Sequence, residues 1–220
     1  ITQSSNRQSR NLFHSKFFIM DVFSISNSPF SIVNHRLMGG GVIHLECPKN
    51  RRGLGEPDMI ILHYTGGTSA MSSAKFLVRQ DVKSSAHVVI GRDGQVIQLV
   101  SFNIEAWHAG KSSYGGRNEL NHYSIGIELD NLGQLRLERG KFVAECGREV
   151  PVKEVYTEDL GEVPTYWHDY TDVQMRVLNE VCGLLVATYP IGDIVGHSDV
   201  TSRKVDPGPA LRVADWIRYY

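Results

Sequence analysis

The segment Met59-Ile60-Ile61-Leu62-His63-Tyr64-Thr65-Gly66-Gly67 decides the fold. Its first four residues form a short, continuous apolar run, which is typical of a strand buried on both faces of a sheet. The two glycines predict a loop soon after this strand. His63 therefore lies where a strand opens into a loop, the usual position of functional residues in α/β sheets. A single histidine at such a position is also explained by backbone hydrogen bonds at a strand end.

The sequence after this strand alternates between helix and strand patterns. Apolar residues recur at helical spacing over residues 70–78, after Thr68 and Ser69, either of which can cap a helix. The Asp93-Gly94 turn predicts a hairpin between residues 87–90 and 95–100. Residues 124–129 predict a further strand, and residues 194–197 predict a last one.

Two helices are predicted in the C-terminal part of the chain. Thr171 and Gln174 have the spacing of a capping box. The apolar face of the helix that follows is predicted to contain Val173, Val177, Val181, Leu184 and Thr188. Residues 212–219 predict a C-terminal helix. Because strands and helices interleave, the predicted class is α/β, with a central mixed β-sheet flanked by α-helices.

The chain divides into three regions by composition. Residues 1–50 are rich in Ser, Asn and Arg without a sustained period, and predict a loosely structured N-terminal extension. Residues 51–220 predict the folded domain. Within it, residues 131–169 have mixed charge and scattered Gly and Pro, and predict a long surface insertion. His122 and His168 are expected to be solvated loop histidines.

Charge and cysteine content exclude several classes of protein. The 220 residues contain 23 Lys and Arg against 24 Asp and Glu, so the net charge of -1 gives no basic field for nucleic acid. The three cysteines form no CxxC pair and no evident disulfide framework. The sequence contains no run of about 18 apolar residues, which is the pattern that would predict an integral membrane segment. The chain begins at Ile1, which leaves the compartment open, and the sequence does not determine the oligomeric state.

Two further residues complete a candidate metal site with His63. His197 ends a second short apolar strand, and Asp206 follows nine residues later in an Asp-Pro-Gly-Pro turn. Two histidines and one carboxylate satisfy the ligand requirement of a hydrolytic zinc site, which leaves a fourth position for water. Asp-Pro-Gly-Pro is also explained as a tight turn alone. The absence of an HExxH helix excludes the common metalloprotease arrangement.

Seven motifs in order resemble one known family, the zinc-dependent N-acetylmuramoyl-L-alanine amidases, which are related to peptidoglycan recognition proteins and phage lysozyme-type amidases. The motifs are Leu62-His63-Tyr64-Thr65, Ser85-Ala86-His87, Arg92-Asp93-Gly94, Ala106-Trp107-His108-Ala109-Gly110, Tyr123-Ser124-Ile125-Gly126-Ile127-Glu128, Gly196-His197-Ser198-Asp199 and Arg203-Lys204-Val205-Asp206-Pro207-Gly208-Pro209. The resemblance implies the fold that amidases and recognition proteins share, and the hydrolysis of the amide between N-acetylmuramic acid and L-Ala of peptidoglycan or muropeptides.

The resemblance also implies roles for individual residues. His63, His197 and Asp206 are expected to bind Zn²⁺. Glu128 is expected to act as general base or acid, and Lys204 to stabilise the oxyanion. Alternative explanations are an ion pair of Glu128 with Arg92 or Lys204, and a solvated Lys204.

A third group of residues is expected to bind the substrate. These residues are Trp107, His108 and Asn121, although Trp107 also fits a place in the core. His87 is expected to belong to the strand framework.

Departures from the family pattern separate its branches. Phage lysozyme-type members have Tyr where this chain has Ala86, and they lack the glutamate at position 128. Recycling amidases have Arg where this chain has Glu119, and they lack an insertion at residues 131–169. In close relatives, the segment between the second His and the Asp is one residue longer than from His197 to Asp206. These departures favour a role in wall remodelling over a role in recycling. A location in the cell envelope or periplasm, or secretion, is therefore favoured over a location in the cytoplasm. The alternatives are a non-catalytic peptidoglycan-binding module and a zinc hydrolase of another amide.

Overall fold

The computed structural model describes residues 28–161, 163–211 and 213. The strands, in chain order, are β1 (Phe30–Val33), β2 (Arg36–Gly39), β3 (Ile43–His44), β4 (Met59–Tyr64), β5 (Val88–Ile90), β6 (Val96–Gln98), β7 (Ser113–Tyr114), β8 (Arg117–Asn118), β9 (Ser124–Leu129), β10 (Gln134–Glu138), β11 (Lys141–Ala144), β12 (Glu149–Val150), β13 (Val155–Glu158), β14 (Thr165–His168) and β15 (Asp193–Gly196). The α-helices are α1 (Ala70–Leu77), α2 (Asp172–Thr188) and α3 (His197–Val200). Short 3-10 helices span Leu120–His122 and Val152–Glu154.

A mixed six-stranded sheet forms the centre of the fold, in the order β15-β4-β9-β5-β6-β3. The β15, β4, β9 and β5 neighbours are parallel, whereas β5 and β6 form an antiparallel hairpin. The side chains of residues 59–62 are fully buried, as the apolar run at the start of β4 predicts. The predicted α/β class with a central mixed sheet is confirmed.

Strand register brings the site residues to one edge of this sheet. β4 and β9 pair in parallel with His63 opposite Glu128. β15 pairs with β4 and ends at Gly196, so His197 follows at the same edge. The carboxyl ends of three parallel strands therefore hold three of the predicted functional residues together.

The N-cap residues at the helix starts and the hairpin are confirmed. The Ser69 hydroxyl caps α1 by accepting the Ser72 N–H at 3.2 Å, and the Thr171 hydroxyl caps α2 by accepting the Gln174 N–H at 3.1 Å. In the turn between β5 and β6, the Asp93 carboxylate accepts the Gln95 N–H at 3.0 Å. These features depend on neighbouring residues only, which is why the sequence predicts them.

The predicted capping box at Thr171, by contrast, is incomplete. The Gln174 side-chain oxygen, which would accept the Thr171 N–H, has no hydrogen-bond partner among the described residues, and the Gln174 amide nitrogen donates to the Ile90 and Asp130 carbonyls.

The predicted apolar face of α2 is confirmed in part: Val181 is buried, and Val177 and Leu184 are partly buried against the core, but the centre of the buried face lies elsewhere on the helix. The buried apolar residues are Leu178, Val181, Cys182 and Leu185, whereas Val173 is 39% exposed. Both sets have helical spacing because the helix carries apolar residues over more than half of its circumference. The face with the larger side chains, at 178 and 185, packs on the sheet.

The description of residues 1–50 as loosely structured is wrong for residues 28–50. β1 and β2 form a hairpin, and β3 pairs in parallel with β6 at the edge of the central sheet. Phe30 and Leu37 are buried in the main core. The Leu37 N–H also donates to the side-chain oxygen of buried Gln98 at 2.8 Å. This segment has no clear period because each of its strands has only two to four residues.

Residues 131–169, predicted as a surface insertion, form a second sheet with the order β12-β11-β10-β14-β13, in which all neighbours are antiparallel. It has its own small core of Leu132, Leu135, Ala144 and Val150. The expectation of a solvated His168 is wrong. His168 is buried at the end of β14, where its Nδ1 accepts the Leu132 N–H at 3.1 Å.

The cysteines and the helices can be compared with what the sequence predicts. All three cysteines are free thiols. Among the described residues, no helix combines the length and apolarity needed to cross a membrane. The helix predicted over residues 212–219 lies outside the described residues, apart from Val213.

Buried His87 is expected to make the fold sensitive to acid. Its Nδ1 accepts the Gly126 N–H and its Nε2–H donates to the Ile104 carbonyl, each at 3.0 Å, so the ring is held neutral. Burial lowers the pKa of His87 from 6.5 to about 4. Between these values the unfolded chain binds a proton that the folded chain does not, so stability falls as the pH falls. The loss is about 1.4 kcal/mol per pH unit.

Urea unfolding of the wild type and of His87→Gln at pH 6.5 and pH 5 measures this effect. The variant is expected to be less stable at both pH values but to lose less stability on acidification. Equal losses in the two proteins would contradict the assignment of a neutral His87.

Candidate active site

His63, His197 and Asp206 converge at the carboxyl edge of the central sheet. Nδ1 of His63 lies 3.0 Å from Nδ1 of His197, and Oδ2 of Asp206 lies 3.0 Å and 2.9 Å from these two nitrogens. All three residues are buried. Ligand atoms of a tetrahedral zinc with bonds of about 2.0 Å lie about 3.3 Å apart, only a few tenths of an ångström more than these separations.

The second nitrogen of His197 identifies the atom that is free to bind a metal. Nε2 lies 3.3 Å from the Ala109 carbonyl oxygen, which only accepts hydrogen bonds, so Nε2 carries the proton. In the neutral ring, Nδ1 then has a lone pair. This lone pair is directed at the Asp206 carboxylate and at His63.

A chain of hydrogen bonds assigns the tautomer of His63 in the same way. Nε2 of His108 lies 3.4 Å from the Ser124 carbonyl and 3.3 Å from the Ser124 hydroxyl, which donates its own hydrogen to the Leu120 carbonyl. Nε2 of His108 therefore donates, and its Nδ1 accepts from Nε2 of His63 at 3.1 Å. Nδ1 of His63 is left with a lone pair.

Gly126 makes room for this chain. A Cβ at this residue would lie 2.3 Å from the His108 ring, so a side chain on β9 would displace His108 from His63. The close packing of the His108 ring therefore explains why the segment Ser124-Ile125-Gly126-Ile127-Glu128 has glycine at its centre.

Three lone-pair atoms that meet at about 3 Å fit a bound cation. Two neutral imidazole nitrogens and one carboxylate oxygen are a preferred donor set for Zn²⁺. In the metal-free site, a proton on Nδ1 of His197 or His63 donates to Asp206, and these hydrogen bonds outweigh the effect of burial and hold the pKa of Asp206 well below its usual range. A bound metal would take the place of that proton. The oxygen therefore stays ionised, as a metal ligand must. The residues present fit a zinc ion.

Glu128 lies beside this cluster without a partner for one of its oxygens. Oε2 is buried and has no hydrogen bond within the described structure. Burial, together with the charge of Asp206, raises the pKa of Glu128 to about 8, although Lys204 lowers it in part. Arg92 pairs with Glu154 at 3.2 Å and not with Glu128. A carboxyl group with one buried, unpaired oxygen and a raised pKa is typical of a proton-transfer residue.

The loop before Asp206, whose length was expected to alter the position of Lys204, is held against the rest of the site. The Ser198 N–H donates to the Asp206 carbonyl at 2.8 Å, which ties the loop to the start of α3. A Cβ on Gly196 would lie 2.7 Å from Cδ of Pro207, so this glycine permits the close approach. Lys204 is exposed in the same loop.

One cavity of about 690 Å³ contains the cluster. Its volume is in the range of pockets that bind small ligands. Its lining includes all three candidate ligands together with Glu128 and Lys204. The structure therefore brings together all five residues that were expected to bind metal or to take part in catalysis.

The three predicted substrate-binding residues have different surroundings. His108 lines the cavity, but its two ring nitrogens face His63 and Ser124. The Asn121 side-chain oxygen accepts the backbone N–H groups of His108 and Ala109, at 3.1 and 2.8 Å. Trp107 is 37% exposed, with the Lys49 ammonium 6.0 Å from its ring centroid, and it is not among the residues that line the cavity. A substrate contact of these residues stays a prediction.

Sequence reasoning missed several cavity residues. Phe76 and Ser72 come from α1, Glu145 from the insertion, and Arg203 from the loop before Asp206. The signal for Phe76 was present: it is a large aromatic residue off the apolar face formed by Ala70, Ala74 and Leu77. Glu145 gave no signal, because its position depends on the pairing of β11 with β12.

His108 is expected to control zinc affinity through the tautomer of His63. In His108→Phe the ring is kept but the acceptor for the His63 Nε2–H is lost. Removal of such a supporting partner weakens metal binding by about 10–100-fold. Competition with a zinc-binding dye measures this, and His108→Gln, with an amide oxygen that can accept, should bind more tightly than His108→Phe. Wild-type affinity in His108→Phe would contradict the tautomer assignment.

Comparison with known proteins gives a consistent result. The family model described as N-acetylmuramoyl-L-alanine amidase matches residues 53–209. The 1,6-anhydro-N-acetylmuramyl-L-alanine amidase AmpD of Salmonella typhimurium is 35% identical over 159 residues, which is 71% of this chain and 66% of that protein. The chain thus spans about two thirds of the length of this relative.

Solved structures agree with the sequence matches. The crystal structure of a Se-Met AmpD derivative superposes with a TM-score of 0.55 and 27% identity, over 86% of this chain and 96% of that chain. AmpDh3 from Pseudomonas aeruginosa, in complex with anhydromuramic pentapeptide, has a TM-score of 0.55 and 27% identity, over 78% of this chain and 61% of that chain. With the family model matching most of the chain, this protein belongs to the N-acetylmuramoyl-L-alanine amidase family.

Proposed function

We propose that this protein hydrolyses the amide between the lactyl group of N-acetylmuramic acid and L-Ala of the stem peptide. The observation that carries the proposal is the meeting of three metal-binding lone pairs with the unpaired carboxyl group of Glu128 in one cavity. The AmpD relatives are 1,6-anhydro-N-acetylmuramyl-L-alanine amidases, which supports the choice of bond.

His63, His197 and Asp206 would hold the metal through Nδ1, Nδ1 and a carboxylate oxygen. A zinc ion at this place would supply a Lewis acid that lowers the pKa of water to about 7 and polarises the attacked carbonyl. His108 and the Ala109 carbonyl fix the orientation and the protonation of the two histidines.

Glu128 takes the proton of the attacking water and passes it to the nitrogen of the leaving peptide. Without metal, burial and the charge of Asp206 raise the pKa of Glu128 to about 8, and the positive charge of a bound zinc ion would lower it towards neutral pH, where both halves of this transfer occur. Lys204, which lines the same cavity, supplies positive charge for the negative carbonyl oxygen that develops in the transition state. An ion pair between Glu128 and Arg92 is the alternative that this arrangement disfavours.

Mass analysis of digested peptidoglycan tests the proposal. Free stem peptide and peptide-free glycan are the expected products, with the new amine on L-Ala. Disaccharide-peptides alone would overturn the proposal, as would cleavage within the peptide. Tight binding of muropeptide without turnover by the zinc-loaded protein would favour the non-catalytic module.

Two substrates distinguish the biological roles. We propose wall remodelling, and with it a location in the cell envelope, because Glu119 takes the place of an arginine expected in recycling enzymes. Faster release of peptide from insoluble sacculi than from soluble anhydro-muropeptide is then expected. The opposite preference would assign this chain to recycling.

A further inference from the structure

The 3-10 helix Leu120–His122 places the Asn121 side chain against the segment that supports the metal cluster. The side-chain oxygen of Asn121 lies 3.1 Å from the His108 backbone nitrogen and 2.8 Å from the Ala109 backbone nitrogen. Both partners are N–H donors, so the amide oxygen of Asn121 faces them and its amide nitrogen does not. One atom therefore accepts two successive backbone hydrogen bonds.

These two hydrogen bonds hold two successive peptide units. The His108 N–H belongs to the unit that joins Trp107 to His108, and the Ala109 N–H belongs to the unit that joins His108 to Ala109. Because peptide units are planar, holding the units on both sides of an α-carbon also fixes the direction of its Cα–Cβ bond. The His108 side chain starts from the α-carbon between the two units that Asn121 holds.

The backbone that Asn121 holds carries the groups that set the protonation of both candidate zinc-binding histidines. The His108 ring accepts from Nε2 of His63 at 3.1 Å, and the Ala109 carbonyl accepts from Nε2 of His197 at 3.3 Å. Each histidine has a lone pair on Nδ1 because its Nε2 keeps the proton. A displacement of the His108-Ala109 backbone would therefore disturb both histidines together.

The chain that follows Asn121 holds the other side of the His108 ring. Nε2 of His108 lies 3.4 Å from the Ser124 carbonyl oxygen, and the Ser124 hydroxyl donates to the Leu120 carbonyl at 2.6 Å. Leu120 is fully buried in a cluster that also contains Ala109. Residues 120–124 are thus anchored in the core and contact His108 through both its backbone and its ring.

The surroundings of Asn121 favour a supporting role over contact with a substrate. Within the described part of the chain, Asn121 is not among the residues that line the catalytic cavity. Its amide oxygen has two lone pairs, and the two N–H groups of His108 and Ala109 use both of them. A substrate could accept this oxygen's bonds only by displacing the backbone that supports the metal cluster.

We propose that Asn121 is a positioning residue of the zinc site. Its amide oxygen holds His108 and Ala109 so that His63 and His197 both direct Nδ1 at the metal. The proposal replaces the expected contact of Asn121 with the substrate. It rests on the zinc site of the proposed function, but not on which amide the protein cuts.

The zinc affinity of Asn121→Leu tests this proposal. Leucine has a similar size but cannot accept a hydrogen bond, so the two N–H groups lose their partner. Competition with a zinc-binding dye is expected to show affinity about 10–100-fold weaker than in the wild type, which is the usual effect of losing a supporting contact behind a metal ligand. Asn121→Asp keeps an accepting oxygen and should bind zinc more tightly than Asn121→Leu. Asn121→Ala gives the same comparison if the leucine variant does not fold.

The absorption spectrum of the cobalt-loaded protein distinguishes positioning from a general loss of stability. Cobalt(II) bound in place of zinc absorbs visible light in a way that depends on the geometry of its ligands. Asn121→Leu is expected to change this spectrum. Val181→Ala, which removes buried contacts of α2, should lower the unfolding temperature without changing the spectrum. Asn118→Leu, at an exposed position on β8, is the matched control and should keep both affinity and spectrum.

The possible results separate this proposal from the proposed function. Wild-type zinc affinity and an unchanged cobalt spectrum in Asn121→Leu would overturn the positioning role, as would an equal loss of affinity in Asn121→Asp. A raised KM with unchanged zinc affinity would assign Asn121 to the substrate and would also overturn it. A wild-type protein that binds zinc but releases no stem peptide would refute the proposed function and leave the positioning role intact.

Discussion

Glu128→Gln is expected to lower kcat by about 10²–10⁴-fold while zinc content and KM stay close to wild type. The range is the usual contribution of a general acid–base residue. Glutamine keeps the size of the side chain and its place on β9, opposite His63, but can neither take nor deliver the proton. Steady-state kinetics with metal analysis of the same preparations measure the effect.

The pH dependence of the stability of the metal-free protein tests the raised pKa of Glu128 independently of catalysis. Its pKa is raised from 4.5 to about 8 by burial and by Asp206, so the folded chain keeps a proton that the unfolded chain loses above pH 4.5. Stability therefore falls as the pH rises from 4.5 to about 8, and Glu128→Gln should lack this part of the decline. Retained activity in the variant, or an unchanged pH dependence of unfolding, would contradict the role of Glu128.

The parts of the fold that the sequence predicted are those set by neighbouring residues. The apolar run of β4, the Asp93-Gly94 hairpin and the caps at Ser69 and Thr171 each involve contacts within a few residues. A short segment carries enough information for such features.

Features that depend on distant partners were not predicted. β3 has two residues and is a strand only because β6 lies beside it. The five strands of the insertion pair with one another across turns, and none of them has a long alternating pattern. The centre of the buried face of α2 was missed because only packing against the sheet distinguishes Leu178 from Val177.

As with the fold, the sequence predicted only part of the candidate site. Its ligands each follow a recognisable strand or turn, so His63, His197 and Asp206 could be chosen from the motifs. The position of His108 behind His63 could not, because it depends on the absence of a side chain at Gly126 on another strand. Sequence motifs identify the residues expected to bind metal or take part in catalysis. The residues that position those side chains are identified only from contacts in the structure.

Asp206→Ala is expected to abolish activity together with zinc binding, which separates it from Glu128→Gln. The substitution removes the anionic member of the donor set and leaves two neutral nitrogens 3.0 Å apart. Two imidazoles alone do not provide the three protein ligands of a hydrolytic zinc site. Metal analysis after dialysis should find zinc in the wild type and none in the variant.

Thermal unfolding with and without added zinc also measures the loss of zinc binding, because bound zinc raises the unfolding temperature. A ligand present at 100 times its Kd stabilises the folded state by about 2.7 kcal/mol, so the wild type should unfold at a higher temperature when zinc is added. Asp206→Ala should show no such shift. Asp159→Ala, which removes an exposed carboxylate from the insertion, is the matched control and should respond like the wild type. A zinc-dependent shift in Asp206→Ala equal to that of the control would show that the carboxylate is not a ligand, and would leave the converging lone pairs of His63 and His197 without their proposed metal.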